Sequence, residues 1–99
     1  MLTNKQTKYL RTEAMSMPSI FQVGKDGVSK NQINMIDDAL EANELIKFSV
    51  LKTCISPIRE VALDINSGTK SEIVQVIGRT IVLFRASKKN IYQLPKDSK

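Results

Sequence analysis

The chain has 99 residues, of which 41% are hydrophobic and 25% charged, with a formal net charge of +5, one cysteine and no histidine. A chain of this length buries roughly 65% of its unfolded surface, so one domain over residues 1–99 is expected to fold around its own core, ordered over about 3–95 with a flexible tail at 96–99. The composition excludes an imidazole base, a histidine-containing metal site and an intramolecular disulfide, and no apolar run reaches the length of a membrane span, so a cytoplasmic protein without membrane contact is expected.

The first predicted element is a helix from Asn4 to about Ser16. Thr3 and Gln6 have the spacing of a capping box, and Pro18 ends the helix through the restriction it places on the residue before it. At 100° per residue Tyr9, Leu10, Ala14 and Met17 share one side, while Lys5, Lys8 and Arg11 fall on the other at i, i+3 steps. That basic side reads equally as a solvated face or as a set of phosphate contacts.

Ile20, Phe21 and Val23 suit a buried strand and run into Gly24-Lys25-Asp26-Gly27. Ser29 and Gln32 repeat the capping-box spacing, so the order is strand, glycine loop, helix start. Such a loop is an ordinary turn or a phosphate site in which backbone amides and the positive end of a helix dipole meet an anion. It lacks the full lysine and hydroxyl pattern of a nucleotide-cradling loop.

A second helix is predicted from Lys30 to Ala42, with Ile33, Ile36 and Leu40 facing the core and Asn43 as a left-handed stop. Asp37, Asp38 and Glu41 form a solvated acidic face rather than a divalent-ion site. Leu45 to Leu51 alternates, with Ile46, Phe48 and Val50 on one side and Lys47 and Ser49 on the other, as a half-buried strand does. Cys54 follows as a buried or half-buried structural thiol. Ser56 and Pro57 read as cap and first residue of a third helix, whose Ile58, Val61, Ala62 and Ile65 share a face and which stops by Gly68. Glu72 to Ile77 and Thr80 to Arg85 are strands around Gly78-Arg79, a glycine-first two-residue turn that puts Arg79 at the tip. Ser87-Lys88-Lys89-Asn90 continues as a basic tail, with a short extended piece over Ile91 to Pro95.

The order is helix, strand, helix, strand, helix, strand, strand, an α/β chain. Right-handed crossovers place the second and third helices on the same sheet face, with the last two strands antiparallel. Charge is segregated along this order. Residues 1–30 hold five basic side chains against Glu13 and Asp26, residues 31–75 four basic against seven acidic, and residues 76–99 six basic against Asp97. Positive charge at both ends suits a polyanion if the fold joins them.

Four blocks in this order resemble the CRM domain (chloroplast RNA splicing and ribosome maturation) in its stand-alone bacterial, YhbY-type form. They are Lys5-Gln-Thr-Lys-Tyr-Leu-Arg, Phe21-Gln-Val-Gly-Lys-Asp-Gly-Val, Glu44-Leu-Ile-Lys-Phe-Ser-Val and Gln75-Val-Ile-Gly-Arg-Thr-Ile-Val-Leu-Phe-Arg. The resemblance covers about residues 3–95. It implies a four-stranded mixed sheet packed with helices, similar to the C-terminal domain of translation initiation factor three, and a glycine loop like that of KH domains, which clamps single-stranded nucleic acid. Bacterial members are linked to precursors of the large ribosomal subunit. Asp26 departs from the neutral residue common in family loops, and Phe84 stands where tyrosine is common.

The leading expectation is therefore an RNA-binding assembly factor, with phosphates held by Gly24, Lys25, Asp26 and Gly27 of the loop and by Lys5, Lys8, Arg11, Lys30, Arg79, Arg85, Lys88 and Lys89. Phe21, Phe48 and Phe84 are expected in the core, which leaves Tyr9 and Tyr92 as stacking candidates. No cofactor, metal or catalytic residue is expected, and the protein is expected to be a monomer. A second reading is an interaction module in which Asp37, Asp38, Glu41 and Glu44 dock a basic ribosomal protein.

Overall fold

The computed structural model describes residues 2–24, 28–54, 57–88 and 91–92. Along the chain lie α1 (Asn4–Ala14), β1 (Phe21–Val23), α2 (Lys30–Asn43), β2 (Leu45–Val50), α3 (Ile58–Thr69), β3 (Glu72–Ile77) and β4 (Thr80–Phe84). The predicted order is found, and the strands form one mixed sheet in the order β1-β2-β4-β3. β1 is parallel to β2, and β4 runs antiparallel to both β2 and β3, so β1, β2 and β3 share a direction.

Both capping boxes form. Thr3 Oγ1 accepts from the Gln6 amide at 3.1 Å while Gln6 Oε1 accepts from the Thr3 amide at 3.1 Å. Ser29 and Gln32 repeat the exchange at 3.1 and 3.3 Å. Each box satisfies two backbone donors at a helix start that no earlier turn could satisfy.

The helix ends differ from expectation, for tertiary reasons. α1 stops at Ala14, and Lys47 Nζ from β2 donates to the Ala14 and Met17 carbonyls at 3.3 and 3.2 Å, a cationic cap reaching across the fold. α2 runs through Asn43, and the left-handed position falls instead on Glu44, at φ 66 and ψ −46. Glu44 is buried, and its carboxylate accepts from the Ser87 amide at 2.6 Å, Ser87 Oγ at 2.9 Å and the Tyr92 amide at 2.9 Å. Three bonds to an anion offset a backbone cost of about 1–3 kcal/mol. α3 starts at Ile58 rather than at Pro57, which holds the N-cap position without a side-chain cap bond, while the expected cap Ser56 lies outside the described residues. α3 passes through Gly68 to Thr69 and ends at left-handed Lys70, with φ 55 and ψ 40. Gly68 is a contact residue, not a stop: a Cβ there would sit 2.9 Å from Ile33 Cγ2, so its absence lets α3 lie close on α2.

Hydrophobic side chains bury on both faces of the sheet. On one, α2 and α3 bring Ile36, Leu40, Val61, Ala62 and Ile65 against Val23, Ile46, Phe48, Val50, Ile81 and Leu83, with half-buried Cys54 at the margin. This is the shared face that right-handed crossovers require. On the other, Leu10 and Ala14 of α1 meet Leu45, Val74, Val82 and Phe84. β2 is thus covered on both faces, and the expected alternation holds only from Ile46 onward, because Leu45 is fully buried under α1. The β3–β4 turn has Gly78 at φ +55 as its first residue, as expected, and β4 ends at Phe84, leaving Arg85 outside the strand.

Candidate nucleic-acid interface

Because β1, β2 and β3 are parallel, their carboxyl ends fall on one side of the sheet. Val23 and Val50 are register partners there, and Ile77 and Ser49 both pair with Thr80. In open α/β sheets this is the side on which ligands bind, since the helices that follow the strands start there. α2 and α3 both start there in this fold, and each turns the positive end of its dipole and the backbone amides of its first turn to that side.

Backbone bonds lace this rim together. The Leu51 amide donates to the Val23 carbonyl at 2.9 Å, the Val50 amide to the Arg79 carbonyl at 2.7 Å and the Cys54 amide to the Leu51 carbonyl at 3.0 Å. Arg79 Nη1 adds a bond to the Leu51 carbonyl at 3.3 Å. Four exposed cations stand on elements of the rim: Lys30 in the first turn of α2, Lys52 after β2, Arg59 in the first turn of α3 and Arg79 in the hairpin turn. Glu60, next to Arg59, is an exposed acid in the same helical turn.

The residues expected from sequence to bind phosphate are divided by this geometry. Lys30 and Arg79 are on the rim. Gly24 follows β1 directly and has open space in front of it, with nothing within 4 Å of the position a Cβ would take. Lys25, Asp26 and Gly27, and likewise Lys89, lie outside the described residues. Lys5, Lys8 and Arg11 are carried by α1, on the opposite face of the sheet from α2 and α3. Arg85 and Lys88 follow β4, whose last residue Phe84 pairs with the first residues of β2 and β3, so they begin from the far end of the sheet.

Arg85 has another task. Nη1 donates to Asp37 Oδ1 at 2.5 Å and to the Thr69 carbonyl at 2.8 Å, while Nη2 donates to the Asp37 carbonyl at 3.1 Å and to Glu41 Oε1 at 3.4 Å. Its side chain is 20% exposed and joins α2 to the end of α3. The expected phosphate contact at Arg85 therefore becomes a structural clamp. The same bonds weaken the acidic docking face: Asp37 and Glu41 face Arg85 and Glu44 is buried, leaving Asp38 of the four.

Tyr9 and Tyr92 do not form an open stacking platform. Both pack on the cluster beneath α1, and the Tyr92 ring meets Phe84 edge-on at 6.4 Å and 81°. Burial raises the Tyr92 hydroxyl above its ordinary pKa, with Glu13, Tyr9 and Glu44 adding to the shift. Phe48 and Phe84 are in the core as expected, whereas Phe21 is half-buried. Among the described residues no three His, Cys, Asp or Glu side chains gather as a metal site, and no helix is long and apolar enough to cross a membrane.

Lys52 and Arg59 were not singled out from the sequence. They lie in the middle segment, residues 31–75, whose net charge is negative, which hid them. Their signal is positional: one follows the end of a strand, and the other falls in the first turn of the next helix.

Comparison with known proteins agrees with this architecture. The CRS1 / YhbY (CRM) domain model matches residues 2–85. A Bacillus subtilis protein named "Probable RNA-binding protein YqeI" is 51% identical over 90 residues, covering 91% of this chain and 94% of that one. A Haemophilus influenzae protein named "RNA-binding protein" is 30% identical over 95 residues, 96% of each chain. The solution structure of the hypothetical protein SAV1595 from Staphylococcus aureus superimposes with a TM-score of 0.82 at 48% identity, covering 96% of this chain and all of that one.

Proposed function

The chain belongs to the CRS1/YhbY (CRM) domain family, and from that premise we propose that it binds RNA by holding backbone phosphates along the rim at the carboxyl ends of β1, β2 and β3. The observation that carries this reading is the convergence of Lys30, Lys52, Arg59 and Arg79 with the amino termini of α2 and α3. In this reading Lys25 and the amides of the glycine loop expected from the sequence also hold phosphates. Lys5, Lys8 and Arg11 extend the contact over α1 where the RNA is large enough to reach that face.

The RNA is ribosomal, in a precursor of the large subunit, and the protein acts on it in the cytoplasm as a monomeric assembly factor without a catalytic step. Support for this finer assignment is the family resemblance in the sequence; the names of the relatives support RNA as the partner. With phosphates as the main contacts, shape and strand accessibility outweigh base sequence in selecting the RNA.

The test is the affinity for a large-subunit ribosomal RNA fragment across a salt series. If about four phosphates are neutralised, the log–log slope lies near −3 to −4. A flat response refutes the electrostatic rim. Crosslinking in cells followed by sequencing of the bound RNA tests the ribosomal assignment, which fails if crosslinks are spread over messenger RNA without enrichment on precursor ribosomal RNA.

A further inference from the structure

α1 covers only part of its face of the sheet. Leu10 and Ala14 cluster with Leu45 and Phe84, register partners at the end away from the rim. Toward the rim, register sets Gln22, Ser49, Thr80 and Ile77 side by side across all four strands. Their neighbours Val23, Phe48, Val50 and Ile81 bury under α2 and α3, so alternation turns this row to the α1 face, and Gln75, the register partner of Val82, turns the same way. Gln22 is exposed, and Ser49, Thr80 and Gln75 are half-buried. None of these four polar side chains makes a hydrogen bond among the described residues. Between Met15 and Ile77, 80% and 59% exposed, a hollow of about 60 Å³ is lined also by Gln75, Thr80 and Val82. Because Met15 borders this hollow, the flank of α1 that carries Lys8, Arg11 and Met15 at i, i+3 and i+7 adjoins the open strip.

We infer that an RNA strand held at the rim crosses this strip to the basic flank of α1, with Gln22, Ser49, Thr80 and Gln75 bonding to its 2′-hydroxyls. The inference rests on the RNA-binding reading above and adds to it the route of the strand and the group that tells RNA from DNA. Charge argues for a polyanion. Arg79 of the rim stands next to Thr80, and exposed Lys8 and Arg11 border the other side. The carboxylates of α1 and the strands lie elsewhere, Glu72 opposite Phe84 at the far end and Glu13 near Tyr92. The crossing is short: Lys47, which caps α1, is two residues from Ser49, so the row lies about 7 Å along β2 from the helix end. Chemistry argues for the sugars. Among the described residues no aromatic ring stands on the strip, since Phe21 and Phe48 turn to the other face and Phe84, Tyr9 and Tyr92 belong to the cluster beneath α1, so bases have nothing to stack on. The one cation within the strip, Lys47, is held by the Ala14 and Met17 carbonyls. Hydroxyls and amides both donate and accept, as a 2′-hydroxyl does, and Met15 and Ile77 offer apolar surface to the ribose carbons.

The experiment compares a single-stranded RNA of about ten nucleotides with DNA of the same sequence, against the parent, Gln22→Ala and the pair Ser49→Ala with Thr80→Val. These changes remove an amide or two hydroxyls without altering charge; circular dichroism and thermal melting check that the variants fold. The parent should bind the RNA at least about threefold more tightly than the DNA, and each variant should lose about three- to tenfold on the RNA with little loss on the DNA. The salt slope of RNA binding should stay the same in both, whereas Lys8→Gln with Arg11→Gln should make it shallower by about 1–2 units. An unchanged slope in that last variant takes α1 off the route and overturns the crossing. Unchanged RNA affinity in both row variants overturns it while a salt-dependent parent keeps the rim reading. Equal losses on RNA and DNA overturn it too, because the contact then bypasses the 2′-hydroxyl. So does a parent that binds the two oligomers alike. RNA-free self-association that Ile77→Ser abolishes with RNA affinity intact makes the strip a contact between copies. A parent that binds no RNA at low salt brings down both readings.

Discussion

Replacing Glu44 with glutamine isolates the buried anion that ties the chain after β4 to the end of α2. One carboxylate oxygen accepts from the Ser87 amide and hydroxyl, and the other from the Tyr92 amide at 2.9 Å. A glutamine can keep the first pair with its carbonyl oxygen, but its amino group then faces the Tyr92 N–H. One charge-assisted bond is lost and a donor is left unpaired, which costs about 1.5–3 kcal/mol. For a domain of this size that lowers the melting temperature by roughly 6–24 °C.

The pH dependence gives the sharper test. Burial pushes the Glu44 carboxyl up, but the Tyr92 and Ser87 amides, the Ser87 hydroxyl and the Ile91 backbone more than offset it, so the folded pKa lies below the ordinary 4.5. A carboxyl with a lowered folded pKa contributes stability that is present above the unfolded value and lost as pH falls through the folded one. Melting curves of parent and Glu44→Gln should therefore differ at neutral pH and converge as the pH falls below the ordinary 4.5 and through the folded value. Exposed Glu41→Gln serves as the control, with little change at neutral pH. A difference between parent and Glu44→Gln that stays the same as the pH falls would refute the reasoning, because it would come from packing rather than charge.

Arg85→Gln should destabilise the fold by about 1–3 kcal/mol in urea melts, because it leaves the Thr69 and Asp37 carbonyls without their guanidinium donor. An unchanged midpoint would return Arg85 to the candidate RNA contacts. Changing Lys30, Lys52, Arg59 and Arg79 together to glutamine should flatten the salt slope of RNA binding by about 3 units with little change in stability, and an unchanged slope would move the interface elsewhere. Gly68→Val should cost about 1–3 kcal/mol by thermal melting, because the 2.9 Å approach to Ile33 already leaves no room for a Cβ. A variant as stable as the parent would mean that α3 can slide on α2. Lys25→Ala should make the salt slope shallower by somewhat under one unit, and Gly27→Val should weaken RNA binding more than it weakens folding; if both bind like the parent, the glycine loop is only a turn.

What the sequence revealed was what short-range physics controls. Thr3 with Gln6 and Ser29 with Gln32 are i, i+3 pairs whose bonds close within one turn, so their spacing alone located two helix starts. Gly78 marked its turn because glycine readily adopts the positive φ needed there. The misreadings share a different cause. Lys47 caps the end of α1 through the Ala14 carbonyl and the nearby Met17 carbonyl, 33 and 30 positions away, and Glu44 and Arg85 each find their partners at separations of up to 48. From local pattern Glu44 is one more acid after a helix, and Arg85 one more cation in a basic stretch. The site was partly legible for the same reason. Lys30 and Arg79 stood next to recognisable turns, whereas Lys52 and Arg59 became part of a surface only once the parallel direction of β1, β2 and β3 was fixed.

The position of β4 also governs the order in which this protein can be assembled. β4 is the last strand among the described residues, yet it lies inside the sheet, hydrogen-bonded to β2 on one side and β3 on the other. Until residues 80–84 have been synthesised, no strand joins β2 to β3, and Leu45, Ile46 and Phe48 lack their partners in β4. A nascent chain ending before Thr80 therefore has β2 with one open edge and β3 with no strand partner, both open to pairing with other chains. Folding must be late and nearly all-or-none, completed when the final hairpin slots into the gap that the earlier strands have left.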